Sequence, residues 1–212
     1  MAQQERLLLQ GAAGVIETVI DHPNAQAAGD APRGIALIAH PHPLYGGNLD
    51  NKVVQTLARV FAELNYIAVR PNFRGVGASA GEHDHGKGEA DDLVAVAAQL
   101  RKRFGALPIV LAGFSFGAFV QTHVASRLTP GRMVLIGLAA GLVAAGRDYA
   151  LAAVPPDTIL IHGEKDETVP LANVLDWAQP QELPVVVIPG ADHFFHRRLH
   201  IIRSIIKGAW RN

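Results

Sequence analysis

The chain has 212 residues, enough for one domain with a substantial core and few for two, so a single domain spanning 1–212 is expected. Its 19 Lys and Arg balance 19 Asp and Glu, which leaves no net field to draw nucleic acid or an anionic membrane surface from a distance, and neither is expected as a partner. The absence of cysteine excludes disulfides, thiolate metal sites and a cysteine nucleophile, and suits a reducing compartment.

The N-terminal MAQQERLLLQGAAG sets three leucines between polar residues, without the basic start and longer apolar run of a secretory signal, so a cytoplasmic location is expected. Residues 6–9 and 15–20 flank GAAG and predict an opening hairpin. A polar stretch, 22–33, follows, and GIALIA at 34–39 is the continuous apolar run of a strand covered on both faces. From there strand and helix alternate. Apolar residues three and four apart predict helices over 48–64 and 89–104, the second with RKR near its C-terminal end, where cations favour the dipole. Short strands are expected at 67–69, ending at Pro71, and at 109–112, with a helix over 116–128.

Three further β-rich runs, 133–136, 158–161 and 185–188, each lead into a glycine-containing turn, and helices are expected over 171–178 and 197–210. The uncharged stretch 133–146 is too short and too glycine-rich to span a bilayer and reads as a buried strand leading into a loop. This order of elements implies a mostly parallel sheet with helices on both faces, with no repeat or low-complexity linker to divide it.

Gly113-Phe114-Ser115-Phe116-Gly117 fits G-x-S-x-G. The motif fixes only three residues and is weak alone, but here it lies between the strand IVLA and a helical segment, the context of a nucleophile elbow. Its glycines serve a backbone turn too sharp for side chains on either side, and the helix after Ser115 aims free N–H groups at charge developing beside the serine. The bland reading is a serine that caps a helix.

A serine nucleophile requires a base and an orienting carboxylate, in the chain order Ser, acid, His. TILI runs into His162-Gly163-Glu164-Lys165-Asp166 and VVVI into Pro189-Gly190-Ala191-Asp192-His193, which puts both candidates beyond the carboxyl ends of strands, where open α/β sheets bind ligands. Asp166 is preferred to Glu164 and Asp192 as the acid, and His193 to His162 and His196 as the base. His162 reads as a structural hydrogen bonder, and His196 as a residue in the first turn of the last helix. Phe116 offers one oxyanion N–H. The second must come from the loop His40-Pro41-His42-Pro43-Leu44-Tyr45-Gly46-Gly47, where the prolines have none, leaving His42 ahead of Leu44. His40-x-His42 and His83-Asp84-His85 lack the further ligands a zinc site needs, so no metal or other cofactor is expected. NFRGVG at 72–77 lacks the third glycine and following helix of a phosphate loop and reads as a strand-end turn.

HPHPLYGGNLDNKVV, RPNFRGVGASAG, GFSFGA, HGEKDETVP and GADHFFH together resemble the small bacterial α/β-hydrolases without a lid, relatives of the dienelactone hydrolases and simple carboxylesterases. The resemblance runs from about Gly34 to the C-terminus. It implies an α/β-hydrolase fold with a mostly parallel eight-stranded sheet and no cap domain, a triad of Ser115, Asp166 and His193, and an oxyanion hole of Phe116 and His42. Dienelactone hydrolases carry cysteine where this chain has Ser115, which argues against that substrate. Larger relatives insert a cap where this chain has only 137–157, so an open, shallow site is expected. The expected activity is hydrolysis of ester or thioester bonds in small soluble acyl substrates through an acyl-enzyme. A peptidase or perhydrolase would use the same triad, and a binding protein could keep the fold without the chemistry.

Overall fold

In a computed structural model, which describes residues 3–23 and 31–210, the chain forms a three-layer α/β structure. The central sheet has eight strands: β1 (Gln4–Gly11), β2 (Gly14–Asp21), β3 (Gly34–Ala39), β4 (Tyr66–Pro71), β5 (Ile109–Phe114), β6 (Arg132–Ile136), β9 (Ile159–Gly163) and β10 (Val185–Ile188). Their spatial order is β1-β2-β4-β3-β5-β6-β9-β10. Strand β2 runs antiparallel to β1 and β4, and the remaining neighbours pair in parallel. The hairpin turns through Ala12 and Ala13, with Gly14 at φ 125°. Of the polar connection expected over 22–33, residues 24–30 lie outside the described residues.

Strand β3 shows how the two layers of helix are specified. Every residue in it is buried, and the alternation of side chains sends Ile35, Leu37 and Ala39 into one core and Ala36 and Ile38 into the other. The first core contains the buried faces of α2 (Lys87–Phe104), α3 (Phe116–Leu128) and α4 (Leu171–Ala178), the second those of α1 (Lys52–Glu63) and α5 (Leu199–Ala209).

Several boundaries differ from the expectation. Helix α1 begins at Lys52 because Asn48 forms a turn of its own, its Oδ1 accepting from Asp50 N at 2.9 Å, while Asn51 Oδ1 accepts from Val53 N at 2.9 Å and so supplies the cap. Strands β4 and β5 are longer than the apolar runs alone indicated, since Arg70 and Phe114 are also buried. The last helix begins only at Leu199, so His196 is not in its first turn; Phe195 and Arg197, at φ 53° and 60°, turn the chain before the helix can start.

The segment after β6 is also more ordered than a plain loop. It folds into a small antiparallel hairpin, β7 (Gly141–Val143) and β8 (Arg147–Tyr149), with Gly141 and Gly146 at positive φ where the chain reverses. Asn173 Nδ2 on α4 donates to Ala140 O and Leu142 O, both at 2.8 Å, and ties the hairpin down. Among the described residues no helix is long and apolar enough to cross a membrane.

Candidate active site

Ser115 leaves β5 with φ 55° and ψ −119°, a backbone region that costs a non-glycine residue about 1–3 kcal/mol. The surroundings hold it there: Ser115 N donates to Ile136 O at 2.9 Å, and its carbonyl accepts from Ala118 N and Phe119 N at 3.0 and 3.1 Å. The flanking glycines answer to close approach. A Cβ at Gly113 would lie 2.6 Å from the carbonyl of Gly117, and one at Gly117 would lie 2.4 Å from the carbonyl oxygens of Ala39 and His40. The first turn of α3 is thereby pressed against the end of β3 and the loop that follows it.

On the same edge of the sheet, β9 ends in a tight turn that presents Asp166, and β10 ends in another that presents His193. The two turns brace each other, since Lys165 N donates to Ala191 O at 2.8 Å and Gly190 N to Glu164 Oε2 at 2.6 Å. Asp166 Oδ1 accepts from Thr168 N and Val169 N at 2.9 and 2.8 Å, which fixes the carboxylate plane. Its Oδ2 lies 2.7 Å from His193 Nδ1, and His193 Nε2 lies 3.0 Å from Ser115 Oγ. With a carboxylate as its partner Nδ1 carries the proton, so Nε2 accepts from the serine hydroxyl. Carboxylate, imidazole and hydroxyl in this order can move a proton off Oγ and return it to a leaving group.

The loop over 40–47 is built around its histidines. His40 is fully buried; its Nδ1 donates to Pro41 O at 2.7 Å and its Nε2 accepts from Phe73 N at 2.9 Å. Burial pushes its pKa down to about 4, against a smaller opposing effect of the Pro41 carbonyl. Both ring nitrogens are occupied, so His40-x-His42 is not a pair of metal ligands. His42 Nδ1 accepts from Leu44 N at 3.3 Å, so that N–H is already engaged, whereas Phe116 N is the first N–H of α3 and has no acceptor within the helix. Burial, and then the positive surroundings of His83, Arg147 and His85, push the His42 pKa down to about 4.

The chemistry of this edge agrees with the sequence comparisons. A family model described as "Serine aminopeptidase, S33" matches residues 30–160. The chain belongs to this family of α/β serine hydrolases. The hydrolase is similar to XC6422 from Xanthomonas campestris, an α/β serine hydrolase without a lid, at 36% identity and a TM-score of 0.89, covering 98% of this chain and 93% of that one. It is likewise similar to an α/β serine hydrolase homologue from Coxiella burnetii, at 36% identity and a TM-score of 0.85, over 100% and 99% of the two chains. An uncharacterized protein of Rickettsia prowazekii, RP471, is 34% identical over 170 residues, or 76% of this chain and 71% of that protein.

The hydrolase keeps the competing side chains occupied elsewhere. His162 Nε2 donates to Val169 O at 3.0 Å and lies 3.4 Å from Asp166 Oδ2, behind the carboxylate and away from the serine; burial pushes its pKa down, with the nearby Asp166 opposing. Asp192 accepts from His196 Nδ1 at 2.6 Å, and that hydrogen bond holds its carboxyl below the usual range. Residues 72–77 form the turn expected after β4.

A cavity of about 310 Å³ opens over Ser115 and His193. The site is less exposed than a shallow, capless surface would be: Ser115 is 7% exposed, and the hairpin β7–β8 places Arg147 in the cavity wall opposite Tyr45. Arg147 was not among the residues read from the sequence. A signal existed, because Arg147 and Asp148 are the only charged residues between Met133 and Pro156, but strands of three residues leave no periodicity to place them.

Proposed function

We propose that the hydrolase cleaves ester or thioester bonds of small, water-soluble acyl substrates in the cytoplasm, through an acyl-enzyme on Ser115. The observation that carries this reading is the relay from Asp166 Oδ2 to His193 to Ser115 Oγ, at 2.7 and 3.0 Å, on a strained strand-to-helix turn. His193 Nε2 takes the hydroxyl proton as Oγ attacks the carbonyl carbon. The resulting oxyanion is held by the N–H groups of Phe116 and His42, each such donor contributing about 3–4 kcal/mol to the transition state. His193 then gives its proton to the leaving alcohol or thiol. Water attacks the acyl-enzyme with His193 again as base, which restores the serine and releases the acid.

The family description raises a second reading, an aminopeptidase. Such an enzyme needs a carboxylate to hold the substrate's ammonium group, and among the described residues no acidic side chain lines the cavity over Ser115. The cavity wall carries a guanidinium instead, which favours the esterase reading.

Turnover of short p-nitrophenyl esters by the wild type and Ser115→Ala is the test. A loss of about 10³-fold or more in kcat/KM, with loss of labelling by a fluorophosphonate probe, is expected for the variant. Undiminished turnover by Ser115→Ala would overturn the assignment. Faster cleavage of aminoacyl p-nitroanilides than of any ester would favour the peptidase.

A further inference from the structure

We propose that Arg147 is a specificity residue that selects acyl substrates bearing a carboxylate, an inference that rests on the esterase reading above and names the substrate class for the same site. Arg147 opens β8 and reaches back over the cavity. Its Nε and one terminal nitrogen donate to Ala144 O at 3.2 and 3.1 Å, the other terminal nitrogen donates to Tyr149 Oη at 3.2 Å, and the guanidinium carbon lies 4.5 Å from the centre of the Tyr45 ring. A guanidinium has five N–H donors. Those three bonds leave two for a ligand while holding the group in place.

Several arginines elsewhere in the fold are matched by acids. Arg70 meets Asp21, Arg74 meets Asp92, Arg127 meets Asp91 and Arg203 meets Glu63. Arg147 takes part in none of the ion pairs among the described residues, although it is half-buried and fixed on three sides. Among the described residues, the cavity it shares with Ser115 has no acidic lining residue. An adjoining cavity of about 320 Å³ shares Arg147, His42 and Tyr45 with the first and adds His83 and His85. Asp148 lines this second space and is not among the residues lining the cavity over Ser115.

A positioned cation with spare donors, in a cavity with no acid among its described lining residues, favours a planar carboxylate taken side-on. Placed in the wall of the cavity that holds the nucleophile, it sets the distance between that carboxylate and the scissile carbonyl. The substrates that meet this condition are half-esters and half-thioesters of short dicarboxylic acids. The aromatic face of Tyr45 beneath the guanidinium keeps it from swinging into solvent when no substrate is bound.

The experiment compares p-nitrophenyl butyrate with the mono-p-nitrophenyl esters of succinate, glutarate and adipate, using wild type, Arg147→Gln and Arg147→Lys. A charge-assisted pair predicts that at least one half-ester exceeds butyrate about tenfold in kcat/KM, and that Arg147→Gln removes this preference while butyrate turnover stays within about threefold. Arg147→Lys keeps part of the preference, and added salt weakens it in the wild type. Equal losses on neutral and anionic esters in Arg147→Gln, with a lowered urea midpoint, would mean that Arg147 only staples the hairpin and would overturn the inference. Turnover of butyrate with no advantage for any half-ester in the wild type overturns it alone. No turnover of either class, with no labelling of Ser115, brings down the esterase reading and this inference together.

Discussion

Close contacts, more than residue types, explain why individual positions around Ser115 are what they are. Gly113 and Gly117 are glycines because a Cβ would strike backbone that is unable to yield, and the strain at Ser115 is held by backbone hydrogen bonds rather than by its own side chain. His40 makes a comparable point about charge. It is buried and neutral, with a pKa of about 4 against an ordinary 6.5. Between those two values the unfolded chain takes up a proton that the folded chain refuses, so stability rises with pH across this window, is complete above it and falls on acidification. At full extent the effect is worth about 3 kcal/mol. Urea unfolding of the wild type at pH 7.5 and 4.5 is therefore expected to show a marked drop at the lower pH, part of it also due to His42. In His40→Gln that drop shrinks, because the amide presents no proton site; an unchanged drop in this variant would assign the pH dependence elsewhere.

The hairpin β7–β8 is the element whose placement matters most for the site. Its strands are three residues each, too short to be stable alone. What holds it is the pair of hydrogen bonds from Asn173 and the packing of Tyr149 against Phe119 and Phe116, at ring separations of 4.9 and 6.1 Å. Removing the Asn173 amide leaves two carbonyls without their donor, at a local cost of about 1–2 kcal/mol. Asn173→Ala is accordingly expected to speed hydrogen exchange of the amides in 141–149 by roughly tenfold while leaving the amides of β5 unchanged. Uniform exchange in variant and wild type would show that the aromatic packing alone anchors the hairpin.

Across the whole molecule, the two edges of the sheet have different tasks. Ser115, Asp166, His193 and the loop over 40–47 all follow the carboxyl ends of parallel strands, whereas the opposite edge is closed by a cluster around Trp210. Its ring packs on Phe61 and Tyr66 at 5.4 and 6.5 Å, its Nε1 donates to Tyr66 Oη at 3.2 Å, and Arg132 stacks over it at 4.4 Å. Trp210→Ala empties a site that is 5% exposed and is expected to cost about 3 kcal/mol of stability. Because the cluster is remote from the serine, kcat/KM on a short ester should stay within about twofold at temperatures where the variant is folded. A loss of activity that tracks the substitution below its melting transition would show the two edges to be coupled.

Local chemistry makes much of this legible in the sequence. The covered strands declare themselves by unbroken apolar runs such as GIALIA, α2 and α3 by their spacing, and the elbow by glycines whose only use is a tight turn; the side chains then singled out, Ser115, Asp166 and His193, meet at hydrogen-bond distance although up to 78 residues separate them. Other features had no local signature. The brace between the β9 and β10 turns and the arrival of Arg147 beside the serine depend on which distant segment lies opposite. Periodicity records which face of an element is buried. The partner on the other side of that face is chosen by packing of the whole chain, and so are the walls of the cavity.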